Sequence, residues 1–446
     1  MEQNLLLTHT EKSISKNKRT VFYIEMGILL AAIFARNILE IAIPVSLILV
    51  LGSLIALDNR RDEIIALCIC CIPMSAAFQY KYLLFICILV YILKYPEDIR
   101  ITWRILPLLL MIFWELMHGF RYAFSFYEVM RSFSELVFCS FLIMLDLKKP
   151  DHPMICRMLA ITSVFMMSIV LINLLKANSF DFLMIFRGSY RFGIGNRAVR
   201  NFGVNYNANQ LGFICNLSVS GLLQLILSKK QRKSDYVLIA VLILFGIMTM
   251  SRTFLVCLAL LFVMFVCMGN EKTSVKIKRI VSAILALVLI ALFAYLFMPT
   301  VFNSYAARFL EEDISNGRTE LFRFYNEHLV SGIRYLFFGV GIQNFTRELA
   351  DIYGHISNVC HNGIQEILVC WGVPGLFMMV SFLGAMIFNR RWYFKRRSFN
   401  YIPLILLVVD IQAGQFLRSG VALLALSFAY LSLQWNSNDS TEDNGE

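Results

Sequence analysis

Long apolar runs separated by short polar connections fill most of the chain. Each run is close to the roughly 20 apolar residues that an α-helix needs to cross a bilayer. Fourteen runs can be placed, at 20–37, 39–57, 63–78, 81–96, 101–118, 132–147, 155–175, 210–228, 235–250, 253–269, 280–298, 363–388, 401–417 and 420–434. The pattern predicts an all-α polytopic membrane protein with about 14 transmembrane helices, and the short runs widen the range to 12–14.

The composition excludes a soluble globular protein. Of the 446 residues, 58% are hydrophobic and only 16% are charged, against about 25% charged residues in ordinary soluble domains. The net charge of +11 is spread between the apolar runs and forms no single basic domain. Membrane lipid is therefore the expected surrounding, and no nucleic acid is expected as a partner.

The basic residues indicate an orientation. With the N-terminus in the cytoplasm, the inner side receives 13 Lys and 12 Arg and the outer side receives 2 Lys and 14 Arg, which together account for all 41 basic residues. Lysine follows the positive-inside rule, and arginine does not. Guanidinium groups bind phosphate through paired hydrogen bonds and stay charged in partly desolvated sites, so the outer face is predicted to bind an anion. Alternatively, some of these arginines reach lipid headgroups or pair with carboxylates.

This orientation divides the chain into tails, helical blocks and two long outer loops. The expected parts are a cytoplasmic N-terminal tail at 1–19, N-terminal transmembrane helices at 20–175, a first extracytoplasmic substrate loop at 176–209, central transmembrane helices at 210–298, a long extracytoplasmic catalytic loop at 299–362, C-terminal transmembrane helices at 363–435 and a cytoplasmic tail at 436–446. Both termini are thus predicted in the cytoplasm.

The loop at 299–362 has 64 residues, far more than an ordinary connection. The segment from Gly317 to His328 predicts an amphipathic helix whose apolar face carries Leu321, Phe322, Tyr325 and Leu329. A folded, helical outer cap is therefore expected. Gly339-Val-Gly341 is interpreted as a turn, since no strand precedes it as a nucleotide-binding loop requires.

His361 is the histidine with the most informative surroundings, because it stands where the long loop re-enters the membrane. An imidazole with a pKa near 6.5 can accept a hydroxyl proton at neutral pH. Alternatively, His361 is a helix-capping or interfacial residue.

Arginines on three outer segments accompany this histidine. Arg187, Arg191 and Arg200 lie in the first loop, Arg252 in a short hairpin between two apolar runs, and Arg318 in the long loop. A charge wedged between apolar runs is costly unless it faces a partner or a cavity. Because the outer face carries no metal-binding arrangement of carboxylates, the arginines are expected to stabilise a phosphate leaving group, with no catalytic metal and no cofactor.

Three carboxylates fall within apolar runs, namely Glu25, Glu115 and Asp410. Buried carboxylates mark ion paths in many membrane proteins, and they also pair with polar groups on neighbouring helices. Both interpretations are open. Asp410 is the strongest candidate for a functional role, because Gln412 and Gln415 lie nearby.

Three motifs resemble the superfamily of O-antigen ligases and O-antigen or capsular polysaccharide polymerases. His361-Asn362 is followed after nine residues by Gly372 and after two more by Gly375, as in that family's re-entry motif. Ser251-Arg252-Thr253 opens a helix as its second landmark does. The third landmark is similar to the segment from Arg200 to Asn209, with Ala208 standing where proline is usual.

The resemblance implies the fold of C-type glycosyltransferases and a place in the bacterial inner membrane. It implies transfer of a glycan from undecaprenyl diphosphate to an acceptor hydroxyl, without metal and with inversion at the anomeric carbon. The roles carried over make His361 the base, Arg200, Arg252 and Arg318 the diphosphate ligands with Arg187 and Arg191 as weaker ones, and Asn362 and Asn209 substrate contacts. Expected partners are the lipid-linked oligosaccharide, a chain-length regulator and a flippase.

Three functions remain open. A polymerase that joins repeat units is favoured, because large aqueous loops with arginine-based chemistry suit that reaction. A ligase differs only in its acceptor, which the sequence does not report. A lipid-linked sugar flippase is the alternative from another class, although alternating access favours short loops and midplane charges.

Overall fold

The computed structural model describes residues 2–75, 80–120, 125–145, 150–177, 179–181, 207–268, 272–297, 299, 302–303, 306, 318–345, 349, 360–388, 397–412 and 414–435. Side chains of residues 2–18, of Arg318 and of some positions in 272–297 are not described. Three of the predicted site residues, Arg187, Arg191 and Arg200, lie outside the described residues.

The described residues form helices, and no β-strand occurs among them. The α-helices are α1 (Glu2–Asn37), α2 (Val45–Asp58), α3 (Arg61–Met74), α4 (Tyr80–Lys94), α5 (Leu106–Gly119), α6 (Phe126–Met144), α7 (His152–Ala177), α8 (Ala208–Leu227), α9 (Lys233–Met248), α10 (Arg252–Cys267), α11 (Thr273–Phe297), α12 (Arg318–Val330), α13 (Ile333–Phe337), α14 (Gly363–Ile387), α15 (Ile402–Ile411) and α16 (Gly420–Gln434). Short 3₁₀ helices cover Pro96–Asp98, Trp103–Ile105 and Ser398–Tyr401.

Each of the fourteen apolar runs overlaps one of these helices, so the all-α prediction is confirmed for the described part of the chain. Within the residues that the structure describes, four helical stretches are long and apolar enough to cross a membrane: Arg19–Asn37, His152–Ala177, Ala208–Leu227 and Gly363–Ile387. Val45–Asp58, Arg252–Cys267, Ser398–Ile411 and Gly420–Gln434 are shorter apolar helices. The number of about 14 membrane crossings stays a prediction.

The interior is built around α3, α7, α8 and α16. Every residue from Val421 to Gln434 of α16 is buried, as expected for a helix that is apolar on all sides and surrounded by other helices. In contrast, α11 exposes Val281, Leu285 and Leu289. Exposed apolar surface of this kind matches a lipid environment.

Helix α14 is broken at Gly372, where the sequence pattern predicts one continuous helix at 363–388. Gly372 has φ 66° and ψ −166°, a region essentially restricted to glycine. Pro374 has no N–H to donate to the carbonyl of Cys370. Gly372 and Pro374 thus interrupt the helical hydrogen bonding within three residues, and the backbone groups that lose a helical partner need another one.

Residues 338–341, here called the strap, supply those partners. Val340 N–H donates to the carbonyl of Val369 at 2.9 Å, and Gly341 N–H donates to the carbonyl of Cys370 at 2.7 Å. Gly339 and Gly341 have φ 71° and 83°. The predicted turn at these glycines belongs to a connection that lies across the break and donates hydrogen bonds to two carbonyls of α14.

Glu115 of α5 binds the two residues that follow the strap. Its carboxylate accepts hydrogen bonds from Ile342 N–H at 3.0 Å and Gln343 N–H at 3.2 Å. It also accepts one from the indole Nε1 of Trp371 at 2.7 Å. The geometry therefore supports a structural role for the Glu115 carboxylate. Glu25 likewise accepts a hydrogen bond from the side chain of Asn59.

Helix α12 confirms the predicted amphipathic helix in the long loop. Tyr325 and Leu329 are buried and Leu321 is half-buried. Phe322 is 48% exposed, so the described residues leave this part of the predicted apolar face uncovered. Gln365 of α14 donates to the carbonyl of Phe322 at 2.8 Å, and this bond ties α12 to the beginning of α14.

Helix α15 ends at Ile411, six residues before the end of the apolar run predicted at 401–417. The following connection is held by the Glu366 carboxylate of α14. This carboxylate accepts hydrogen bonds from the N–H groups of Phe416, Leu417 and Arg418 at 2.6, 3.0 and 3.3 Å. Those N–H groups are consequently bound to a side chain and do not extend a helix.

Candidate functional site

Four helices begin at one place in the structure, and each is capped by a side chain. Asn207 accepts from the N–H of Asn209 before α8, and Ser251 accepts from Phe254 before α10. Asn362 accepts from Gln365 before α14, and Ser419 accepts from Ala422 before α16. Asparagine and serine are favoured N-caps, and the positive ends of the helix dipoles favour an anion nearby.

These beginnings surround a cleft with about 550 Å³ of empty space, part of it open to solvent. Polar and small residues form most of its lining. The lining residues are Asn207, Asn209, Gln210, Phe213, Thr253, His361, Asp410, Gly414, Gln415, Ser419 and Val421. The cleft thus brings the three motifs of the sequence together, although they lie far apart along the chain.

His361 lies immediately before the Asn362 cap and is half-buried. Its backbone has φ 51°, a left-handed conformation that is uncommon for residues other than glycine and clusters at functional sites. Asn362 also donates to Gln412 Oε1 at 3.4 Å. The imidazole therefore projects from a fixed helix beginning into a space large enough for a ligand.

The neighbouring thiol of Cys360 is not a competing base or nucleophile. Burial raises the pKa of Cys360 well above its ordinary value, and Glu366 raises it further, while Arg418 opposes both effects. A thiol with a raised pKa stays protonated at neutral pH and is a poor nucleophile. His361 is accordingly the better placed proton acceptor of the two.

The landmarks on α8 and α10 are joined by a direct hydrogen bond. Ser251 Oγ donates to Oδ1 of Asn209 at 2.8 Å. Arg252 follows Ser251 in the first turn of α10 and is half-buried, and Thr253 lines the cleft. Arg252 is not itself among the lining residues, so it is the first turn of α10 that the structure places at the cleft wall.

The segment at 412–419 also contributes to the wall, which the apolar run at 401–417 did not reveal. Gly414, Gln415 and Ser419 line the cleft beside Asp410. The signal in the sequence is Ser419-Gly420, because serine before an apolar run is a helix-start pattern. Gln210 reaches across to Ser419 at 3.5 Å, which links the beginnings of α8 and α16.

The remaining predicted phosphate ligands cannot be placed in this cleft. Arg187, Arg191 and Arg200 are outside the described residues, and Arg318 begins α12 with its side chain not described. Among the residues that the structure describes, no three histidine, cysteine or carboxylate side chains converge as a metal site would require.

Comparison with known proteins gives a family match for part of the chain. Residues 237–380 match the family model described as O-antigen ligase. This range holds Arg252, Arg318 and His361, whereas the α8 and α16 sides of the cleft lie outside it. A search of curated proteins gives no match. The family match confirms, for residues 237–380 of this helical chain with several apolar helices, the resemblance to the O-antigen ligase and polymerase superfamily.

Proposed function

We propose that this protein polymerises oligosaccharide repeat units linked to undecaprenyl diphosphate into a surface polysaccharide, such as O-antigen, capsule or exopolysaccharide. The transfer takes place on the extracytoplasmic side of the bacterial inner membrane. The observation that carries the proposal is the cleft in which His361 meets the beginnings of α8, α10, α14 and α16. The match to the O-antigen ligase family supports the general class of reaction.

In this proposal His361 is the general base. Its imidazole accepts the proton of the acceptor hydroxyl, and the hydroxyl oxygen then attacks the anomeric carbon of the donor sugar. The bond between that carbon and the diphosphate oxygen breaks, and the diphosphate leaves with the electron pair. A single displacement of this kind inverts the anomeric configuration, and its products are the lengthened glycan and undecaprenyl diphosphate.

The negative charge that develops on the leaving diphosphate is stabilised by fixed positive groups. Four helix beginnings supply partial positive charge at the cleft. Arg200, Arg252 and Arg318 supply full charges, with Arg187 and Arg191 as further ligands. Asn209 and Asn362 orient the sugars. Preorganised groups of this kind stabilise the transition state without a metal ion.

A ligase is the second candidate function, because the matching family model carries that description. The two reactions share the donor, the base and the leaving group. They differ in the acceptor, which is the next lipid-linked repeat for a polymerase and a terminal molecule such as lipid A core for a ligase.

Glycan length in a deletion strain tests the proposal. The strain is complemented with wild type, with His361→Ala, or with His9→Ala from the predicted cytoplasmic tail as a matched control, at equal protein levels. Loss of a general base typically reduces the rate by about 10²–10⁴-fold, so His361→Ala should leave single repeats on the carrier. His9→Ala should restore full-length polymer.

Each other outcome has a defined meaning. Long chains that accumulate on the lipid carrier in the deletion strain support the ligase instead of the polymerase. Full-length polymer in the His361→Ala strain contradicts the base assignment. Purified protein that loses activity in a metal chelator contradicts the metal-independent mechanism, and retention of the anomeric configuration in the product contradicts direct displacement.

A further inference from the structure

Arg418 lies in the connection between α15 and α16, next in sequence to the lining of the cleft, although like Arg252 it is not itself a lining residue. It directly precedes Ser419, a lining residue, and its side chain is exposed. It lies outside the residues matched by the family model, which end at 380. The topology predicted from the sequence places it on the same outer side as His361.

The backbone at Arg418 is held in a fixed relation to His361. Glu366, five residues after His361 on α14, is 1% exposed and accepts three consecutive N–H groups that end with that of Arg418. A carboxylate that accepts several backbone bonds at once is a strong anchor. These hydrogen bonds therefore tie the connection between α15 and α16 to the beginning of α14.

The guanidinium group is oriented by an aromatic ring. The Cζ atom of Arg418 lies 5.0 Å from the ring centroid of Phe345, within the distance of a cation–π contact. Phe345 is itself 1% exposed and packs against Tyr325. Stacking on a buried ring restricts the side chain and leaves the N–H groups at the edges of the planar guanidinium available to donate hydrogen bonds to a ligand.

Within the described part of the chain, Arg418 acts through space on the carboxylate of Glu366 but forms no ion pair with it. Among the described residues, no carboxylate lies within ion-pair distance of the Arg418 guanidinium, and the nearby Glu366 carboxylate is occupied by backbone N–H groups. The positive charge of Arg418 acts on the thiol of Cys360, which is next to His361 in sequence. There it lowers the pKa of the thiol, against the larger increase that burial causes.

We propose that Arg418 is a further oxyanion-binding residue of the cleft and holds the diphosphate of the lipid-linked donor. The proposal rests on the function proposed above. It adds a ligand from the C-terminal helices to the predicted arginines at 187, 191, 200, 252 and 318. A guanidinium edge beside the beginning of α16 would add paired hydrogen bonds to the partial positive charge of the helix beginnings.

Binding of undecaprenyl diphosphate to the full-length protein tests this inference directly. The protein is placed in phosphatidylcholine nanodiscs, so that no anionic headgroup competes, and titrated with undecaprenyl diphosphate. Arg418→Gln should weaken binding about tenfold, as expected for the loss of one charge-assisted pair. The matched control is Arg323→Gln, an exposed arginine paired with Glu327 on α12, which should stay within about twofold of wild type.

The outcomes separate the two proposals. If wild type binds undecaprenyl diphosphate and Arg418→Gln binds it equally well, the Arg418 inference is overturned while the function stands. If wild type itself does not bind, the proposed function fails. Should the glutamine variant melt early, Arg418→Lys decides the question: it keeps the charge and loses the planar fork, and an affinity equal to wild type overturns bidentate binding by Arg418.

Discussion

Substitution of Gly372 by alanine tests whether the break in α14 is a required feature of the fold. An added Cβ would lie 2.5 Å from the carbonyl carbon of Phe337, 2.6 Å from its oxygen and 2.7 Å from the oxygen of Leu336. All three atoms belong to the backbone, so no side-chain rotation relieves the contact.

The cost can be worked from the structure. Alanine at φ 66° and ψ −166° carries a conformational penalty of about 1–3 kcal/mol. Displacement of the strap also removes its two hydrogen bonds to α14, at about 0.5–1.5 kcal/mol each. Gly372→Ala should therefore lower the free energy of unfolding by roughly 2–6 kcal/mol.

The measurement is the melting temperature of purified protein in detergent, followed by tryptophan fluorescence, because Trp371 adjoins the break. Gly384→Ala is the matched control on the same helix, since a Cβ there meets nothing within 4 Å. The control should melt at or slightly above the wild-type temperature, because alanine favours helix over glycine. A Gly372→Ala protein that melts with wild type would refute the reasoning.

Two further substitutions probe the leaving-group site and the anchor of the strap. Arg252→Lys should lose activity nearly as completely as Arg252→Ala, by about 100-fold or more, because the point charge of an ammonium does not reproduce the paired hydrogen bonds of a planar guanidinium. Near-normal polymer length in the lysine strain would contradict the role of Arg252 as a diphosphate ligand. Glu115→Gln should lower stability by about 1–3 kcal/mol, because the amide has one acceptor oxygen for three donors and leaves at least one of them unpaired. An unchanged melting temperature in the glutamine variant would contradict that count.

Hydropathy predicted where the helices lie, because a membrane helix must be apolar along most of its length. It did not predict where α15 ends. Asp410, Gln412 and Gln415 interrupt the run at 401–417, yet the run is apolar enough on average to read as one helix. The helix ends at Ile411, and farther along the N–H groups of Phe416, Leu417 and Arg418 bind the Glu366 carboxylate instead of helix carbonyls. A contact between distant residues leaves no periodic trace in either segment.

The sequence likewise predicted only some of the residues at the cleft, because others are brought there by contacts between distant segments. His361, Asn209 and Thr253 belong to motifs that resemble a known family, and the structure brings them to one cleft. Arg418 and Ser419 belong to no such motif. Their place at the cleft depends on the Glu366 anchor and on the beginning of α16, which only the three-dimensional arrangement reveals.

The Glu115 anchor has a consequence for protein engineering. The family match begins at residue 237, which invites chimeras that join the C-terminal half of this chain to the N-terminal half of a relative. Such a chimera would separate the α5 carboxylate from the indole and backbone groups that it binds at Trp371, Ile342 and Gln343. Exchange of the two halves is expected to succeed only between parents that both carry a hydrogen-bond acceptor at the position of Glu115. The presence of this one buried acceptor, more than the similarity of the hydrophobic helices, should decide which hybrids fold.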